Sequence, residues 1–348
     1  MKSHVRWCAL VPAAALVLAG CSADEDTGVT TLTFTNSYSA DHPHTRCGID
    51  RVAERVEEAD VGLAIDTFPG SQLGDNTESF ASVMSGDIDL DVQGSAALGS
   101  SYEPIEVFDA AYAFEDVDHL FSFFDSAAAE PVKNDFEQET GAKILDLWYF
   151  GDRHFTANQP LRTPSDMEGL RMRFAESPIY LANAEALGAT ATTVAFEEVY
   201  LALQQGTADG QENPVTTVDA DNFSEVQSHI SMTAHQVGSQ MIVVSGQTWD
   251  QLNEEQHEVL QDSVSQVREE NRACIEESDR EVLDSWGPDG PIEVVDDVDV
   301  EAFRSQAQEY FLETLEGDRL ALYESFLEFE QQEPHPGSDH SPEHTENE

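Results

Sequence analysis

The sequence predicts an α/β protein made of two halves that face each other across a cleft. Three observations carry this. Residues 31–92 alternate strand and helix patterns, a second alternation begins at 171, and one long charged amphipathic stretch over 253–285 supplies a spine.

In the first half, 31–36 alternates apolar and polar residues as a strand does, and 41–60 carries apolar residues at helical spacing (Ile49, Val52, Val56). A strand over 62–68 ends in the turn Pro69-Gly70-Ser71-Gln72-Leu73-Gly74, a short helix spans 77–84, and a strand spans 88–92. This β-α-β-α-β order argues for parallel pairing. Residues 107–140 are expected to be mostly helical, with Phe121, Phe123 and Phe124 in the core. Strands follow at 142–150 and 154–158. The second half places strands at 171–175, 191–194 and 209–213, with helices at 178–187 and 196–205. One or two strands cover 230–245, broken near Gly238. The long helix is capped by Asn253, with Glu254 and Glu255 in its first turn. A strand at 291–295 and helices near 300–315 and 318–330 complete the fold. Residues 331–348 have almost no apolar side chains and are expected to be a disordered acidic tail.

The 348 residues suit two domains of ordinary size, and 40% hydrophobic residues with 18 Phe suffice for real cores. Against 16 Lys and Arg stand 69 Asp and Glu, a formal net charge of −53. A nucleic-acid partner is excluded by that balance, because phosphate neutralisation needs a basic surface. Adaptation to high salt is the preferred cause of the acidity, since screening weakens self-repulsion.

Lys2 and Arg6 precede a short apolar run over 7–20, the pattern of a secretion signal and too short to span a bilayer. It ends Leu18-Ala19-Gly20-Cys21, which looks like a bacterial lipobox. Residues 1–20 are therefore expected to be a lipoprotein signal peptide, with lipidation at Cys21 and a tether over 21–29. Only a lipid would then hold the chain to the cell membrane, on its extracytoplasmic side. Cys47 and Cys274 remain, each in a helical pattern. They are either a disulfide or two buried thiols.

Four of the 16 bases lie between Arg153 and Arg173, while 56–152 holds only Lys133 and Lys143 and 174–267 holds none. Arginine forks meet carboxylates with two parallel hydrogen bonds, so this cluster suits an anion site. Arg171 and Arg173 flank Met172 on a strand and share a face. Either a bound anion or neighbouring acids such as Asp152 and Glu176 would compensate them.

The blocks Gly151-Asp152-Arg153-His154-Phe155-Thr156, Leu161 to Arg173, Ala195 to Gly206 and Asp209-Gly210-Gln211-Glu212-Asn213-Pro214 stand in order along the chain. Together with Asp41-His42-Pro43 and 68–74, they resemble the solute-binding subunit of TRAP (tripartite ATP-independent periplasmic) transporters, the dicarboxylate-binding-protein family. The resemblance covers roughly residues 30–325. It implies a periplasmic-binding-protein clamshell of type II-like architecture, with mixed sheets and a domain-spanning helix. Domain I would comprise 30–150 plus about 239–278, and domain II 151–238 plus about 279–330. It further implies capture of a small organic acid, such as a C4-dicarboxylate, and delivery to an ion-driven membrane permease. By the same resemblance Arg173 forms the bidentate salt bridge to the ligand carboxylate. Arg153 assists, Asn213 hydrogen-bonds the same group, and Phe196 lines the pocket.

On the first-half side, Asn36, Ser37, Gln93, Gly94 and Ser95 lie at strand ends that open to the cleft. A monomer without cofactor, metal or catalytic activity is expected. The rivals are a ligand-sensing receptor using the same cleft and a carboxylate-processing hydrolase. Asp87, Asp89 and Asp91 imitate the start of an EF-hand, but Val92 replaces its required Gly, so they are expected on the exposed face of a strand. Asp41-His42-Pro43-His44 and the tail histidines His335, His340 and His344 are weak metal candidates.

Overall fold

The structure, a computed structural model, describes residues 28–286 and 290–332. Among the described residues nine strands form a single mixed sheet. In chain order they are β1 Thr30–Thr35, β2 Leu63–Phe68, β3 Leu90–Gly94, β4 Ala142–Ala157, β5 Arg171–Phe174, β6 Thr190–Thr193, β7 Gly210–Pro214, β8 His229–Ser245 and β9 Glu293–Val295. The spatial order is β2-β1-β3-β8-β4-β7-β5-β6, with β9 added to β8. β1 pairs in parallel with β2 and β3, and β5 in parallel with β6 and β7. Each half is thus the parallel unit that its strand–helix alternation predicts.

The two halves are joined by β4 and β8, which run antiparallel across both. Ala142–Tyr149 pairs with Ser239–Ser245 in the first half, and Asp152–Ala157 with His229–Val237 in the second. The expected break at Gly238 is absent; the strand is continuous. Gly238 sits opposite Gly151 at the crossing. A Cβ on Gly238 would lie 2.6 Å from the Gly151 carbonyl oxygen, and Gly151 itself has φ +112°. The glycine therefore permits close strand approach and does not end the strand. Likewise 142–150 and 154–158 are one strand, kinked by register shifts at 144/146, 149/151 and 153/155.

The helix Glu254–Trp286 packs along the sheet. One cluster (Phe34, Val52, Val56, Leu90, Trp148, Val264) lies between it, the sheet and the helix Asp50–Glu58. Another (Val199, Leu203, Val218, Phe223, Trp286) fills the second half. On the opposite face Phe108, Phe114, Phe123 and Phe326 meet at ring distances of 4.6–6.1 Å. Burying each such ring contributes about 1.5–3 kcal/mol. Phe121, Phe123 and Phe124 are all core, and Phe121 also takes the Arg268 guanidinium over its ring.

Cys47 and Cys274 are joined, with Cα atoms 6.5 Å apart. The bond ties the turn Thr45–Ile49 to the long helix. Two expectations need correction. Of the three early aspartates only Asp87 is exposed: Asp89 accepts from the Thr33 amide and hydroxyl, and Asp91 is fully buried. The last helix runs on to Gln332, past the expected start of the tail. The signal run, Cys21 and the tail histidines lie outside the described residues. Among those described, no group of three or more potential metal ligands occurs, and no helix is long and apolar enough to cross a membrane.

Candidate functional site

β5 and β7 lie side by side, with Arg173 opposite Gln211. Arg173 is 5% exposed; its Nε and Nη2 donate to the Val194 carbonyl at 3.2 and 3.1 Å. The Phe196 ring centre lies 5.9 Å from its guanidinium carbon, and that ring is substantially exposed. Arg171, two residues earlier, is exposed and forks onto Asp209 (2.9 and 2.8 Å) and the Gly206 carbonyl. Its compensating acid is therefore Asp209, not Asp152 or Glu176.

Arg153, on β4, is buried and gripped by Glu212 on β7. Nε and Nη2 donate to the two carboxylate oxygens at 2.5 and 2.9 Å, and Nη2 also reaches Asn213 Oδ1 at 3.0 Å. Burial opposes ionisation of Glu212, yet Arg153 and His235 hold its carboxyl below the usual range. Burial likewise opposes the Arg153 charge, and Glu212 more than restores it. A fork committed to Glu212 cannot also bridge a ligand in bidentate fashion. Nη1 has no hydrogen-bonding partner among the described residues and is the part left to give. Asn213 in turn donates to Gln211 Oε1 (2.6 Å), and Gln211 to Thr156 Oγ1 (3.0 Å), so the amide's orientation is set by β7 and β4 together.

Around this pair stand residues the sequence analysis did not single out. The Tyr180 ring centre is 5.4 Å from the Arg153 guanidinium carbon. Its hydroxyl accepts from Gln236 Nε2 at 3.1 Å, and the same amide group donates to Asp109 Oδ1 at 2.9 Å. Asp109 also accepts from the Ala96 amide, and burial pushes its carboxyl up to about 6. Asn183 bonds the Ala111 amide and the Asp109 carbonyl, fastening the helix Pro178–Ala186 to the segment 109–111. The Tyr38 phenol lies within electrostatic reach of Tyr180, Arg153, Asp109 and Asp91. Only Glu212 left a sequence signal, by standing inside a quoted block. Gln236 and Asn183 find their side-chain partners 53–127 residues away, which no local pattern displays.

The five first-half candidates divide. Asn36 closes its own turn, donating to Thr45 Oγ1 and accepting from the Tyr38 amide. Gln93 turns inward to the Asn76 carbonyl, Ser79 Oγ and Asp91 Oδ2. Both are buried and committed to protein partners. Ser95 Oγ is 3.5 Å from Ser239 Oγ, a Cβ on Gly94 would touch the Gln240 side chain, and Ser37 is half-buried. His42 and His44 lie in an aromatic stack with Tyr38 and Phe150.

Residues 35–318 match the family model of bacterial extracellular solute-binding proteins, family 7. The chain belongs to this family. It is 32% identical over 260 residues to the sialic acid-binding periplasmic protein of Vibrio cholerae, covering 75% of this chain and 80% of that one. It is 30% identical to the C4-dicarboxylate-binding periplasmic protein of the same organism, covering 66% and 70%. Among solved structures, a TRAP periplasmic solute-binding protein from Ochrobactrum anthropi, with its C-terminus bound in the ligand-binding pocket, superposes with a TM-score of 0.81. It is 26% identical over 87% of this chain and 95% of that one. One from Polaromonas bound to D-erythronate gives 0.76, at 27% identity over 85% and 98%. The two-half α/β architecture is thus the clamshell of TRAP binding proteins, whose named members bind solutes.

Proposed function

We propose that this family 7 protein captures an organic acid in its cleft and presents it to an ion-gradient-driven TRAP permease, without catalysing any reaction. The observation that carries the reading is the buried Arg173 at the end of β5, with Phe196 beside it and Arg153 close by on the neighbouring strands. Charge-assisted bonds gain strength where water is expelled. In this reading Arg173 holds the ligand carboxylate, Arg153 Nη1 adds one donor while Glu212 keeps the rest, and Asn213 and Phe196 shape the pocket. The halves correspond to 30–150 with about 239–278, and 151–238 with about 279–330. A lipid on Cys21 anchors a monomer outside the cytoplasm. Relatives named for sialic acid, C4-dicarboxylates and D-erythronate support an organic acid as cargo.

The test is Arg173→Ala. Titration calorimetry is expected to show carboxylate affinity falling more than tenfold, while the melting temperature of the ligand-free protein barely moves. Unchanged affinity would refute the assignment.

A further inference from the structure

The hydrogen bonds beside Arg153 run in one direction, and backbone groups set it. Asn183 is fully buried on the helix Pro178–Ala186. Its Oδ1 accepts from the Ala111 amide at 2.7 Å, and its Nδ2 donates to the Asp109 carbonyl at 2.8 Å. A backbone N–H only donates and a carbonyl only accepts, so this amide has one orientation. Its other Nδ2 hydrogen is turned to Gln236 Oε1 at 3.5 Å, and the Gln236 Nε2 group faces a carboxylate oxygen, which only accepts. The Gln236 amide is thereby fixed as well. Its two hydrogens go to Asp109 Oδ1 at 2.9 Å and to the Tyr180 hydroxyl oxygen at 3.1 Å. That oxygen accepts, so the phenol hydrogen must point away from Gln236. No acceptor among the described residues takes it, and the Tyr180 side chain is only half-buried.

The hydrogen lies next to the arginines. Gln236 stands directly opposite Arg153 in the ladder between β4 and β8, and the Tyr180 ring centre is 5.4 Å from the Arg153 guanidinium carbon. Arg173 is across β7, opposite Gln211, and Arg153 reaches the same strand at Glu212 and Asn213. Strands spaced ~4.8 Å apart put the two arginine positions about 10 Å from each other, within reach of two such long side chains. An acid held by Arg173 therefore shows Arg153 and Tyr180 the atoms beside its carboxylate.

The acceptors around that place are taken. Both Glu212 oxygens and Asn213 Oδ1 hold Arg153, the two Asp109 oxygens hold Gln236 and the Ala96 amide, and the Val194 carbonyl holds Arg173. Hydrogens remain on Arg153 Nη1 and the Tyr180 hydroxyl. A ligand oxygen satisfies both. A methylene there forfeits the bonds, and an ammonium adds another cation and more hydrogens.

We propose that Tyr180 is a specificity-determining residue: with Arg153 Nη1, its hydroxyl donates to an acceptor oxygen, foremost an oxo group, on the carbon next to the ligand's carboxylate. The proposal rests on the carboxylate-binding reading and narrows it.

Titration calorimetry on the full chain tests it with acids that differ at that carbon alone: pyruvate against propionate, 2-oxoglutarate against glutarate, and alanine alongside. In a pair that binds, the oxo acid is expected to bind at least about threefold tighter, the size of one neutral hydrogen bond, and alanine is expected to bind more weakly than propionate. Tyr180→Phe keeps the ring beside Arg153 and removes only the hydroxyl. It is expected to weaken the oxo acids at least about threefold while propionate and glutarate change less than twofold. A loss of packing would weaken all of them alike. An oxo preference below threefold in the parent, equal losses in the variant, or alanine bound as tightly as pyruvate overturns the proposal, and the first and third of these need no variant to fold. If the acids then still depend on Arg173, the carboxylate-binding reading stands alone. If none of the five binds, both fall.

Discussion

Glu212 is what lets Arg153 stay charged in the interior. The pair is almost wholly shielded, with side-chain exposures of 7% and 0%, and both carboxylate oxygens are used by the guanidinium. His235 backs the carboxylate at 3.6 Å and is itself stacked on Phe155 at 4.1 Å. Removing one member of a buried pair leaves the other as an uncompensated buried charge, which costs about 3–5 kcal/mol. Glu212→Ala is therefore expected to lower unfolding stability by about that amount in denaturant titrations. Stability within 1 kcal/mol of the parent would mean that Arg153 has another compensating acid. Arg173, by comparison, donates to the Val194 carbonyl and lies beside the Phe196 ring.

At the scale of elements, β4 and β8 do what two separate sheets could not: they carry the backbone ladder from one half into the other. The alternations on either side were legible because parallel β-α-β units repeat strand and helix periods locally. The crossing was not legible. Gly151 and Gly238 read as chain breaks, and only their mutual opposition, 87 positions apart, reveals that each makes room for the other. Arg173 and Asn213 were found because their blocks resemble a family. Tyr38, Tyr180 and Asp109 were missed because their roles arise from contacts between halves. Asp91 was misplaced for a related reason, since strand alternation does not say which face is covered, and both faces of β3 are.

The disulfide acts at this same scale. It fastens the turn Thr45–Ile49, just beyond the Tyr38–His44 stack, to the long helix across a sequence separation of 227. A crosslink closing so long a loop restricts the unfolded chain strongly and typically contributes about 2–4 kcal/mol. The Cys47→Ser, Cys274→Ser double variant is expected to unfold at correspondingly lower denaturant concentration, with no change under reducing conditions. The parent should fall to the variant's midpoint when reduced. A parent insensitive to reductant would show that the bridge adds nothing to stability.

Over the whole molecule, a formal charge of −53 coexists with acids withdrawn from water. Burial raises Asp91 to about 7 and Asp109, Asp146, Asp152 and Asp279 to about 6. A raised acid binds its proton more tightly in the folded state. Its contribution to stability is complete below the unfolded value near ~4 and is lost as pH rises through the folded one. Buried histidines work the other way: His42 and His154 are lowered to about 4 and 3, so their contribution is present above ~6.5 and fades as pH falls. Between pH 5 and 6.5 the two contributions therefore oppose each other, and a single substitution isolates one of them. Asp91 is the best choice because its shift is the largest of the five and one of its oxygens has no hydrogen-bonding partner. Asp91→Asn keeps the shape and removes the titration. Below about pH 4 the Asp91 carboxyl is protonated in both folded and unfolded states, so parent and variant should differ there by a constant packing term. From pH 5 to 8 the parent loses up to ~1.4 kcal/mol for each unit of its shift, and the variant does not. The melting temperature of Asp91→Asn relative to the parent is therefore expected to climb over that range, most steeply between pH 5 and 6 and levelling off above pH 7. A difference that stays flat from pH 5 to 8 would mean that Asp91 is ionised throughout.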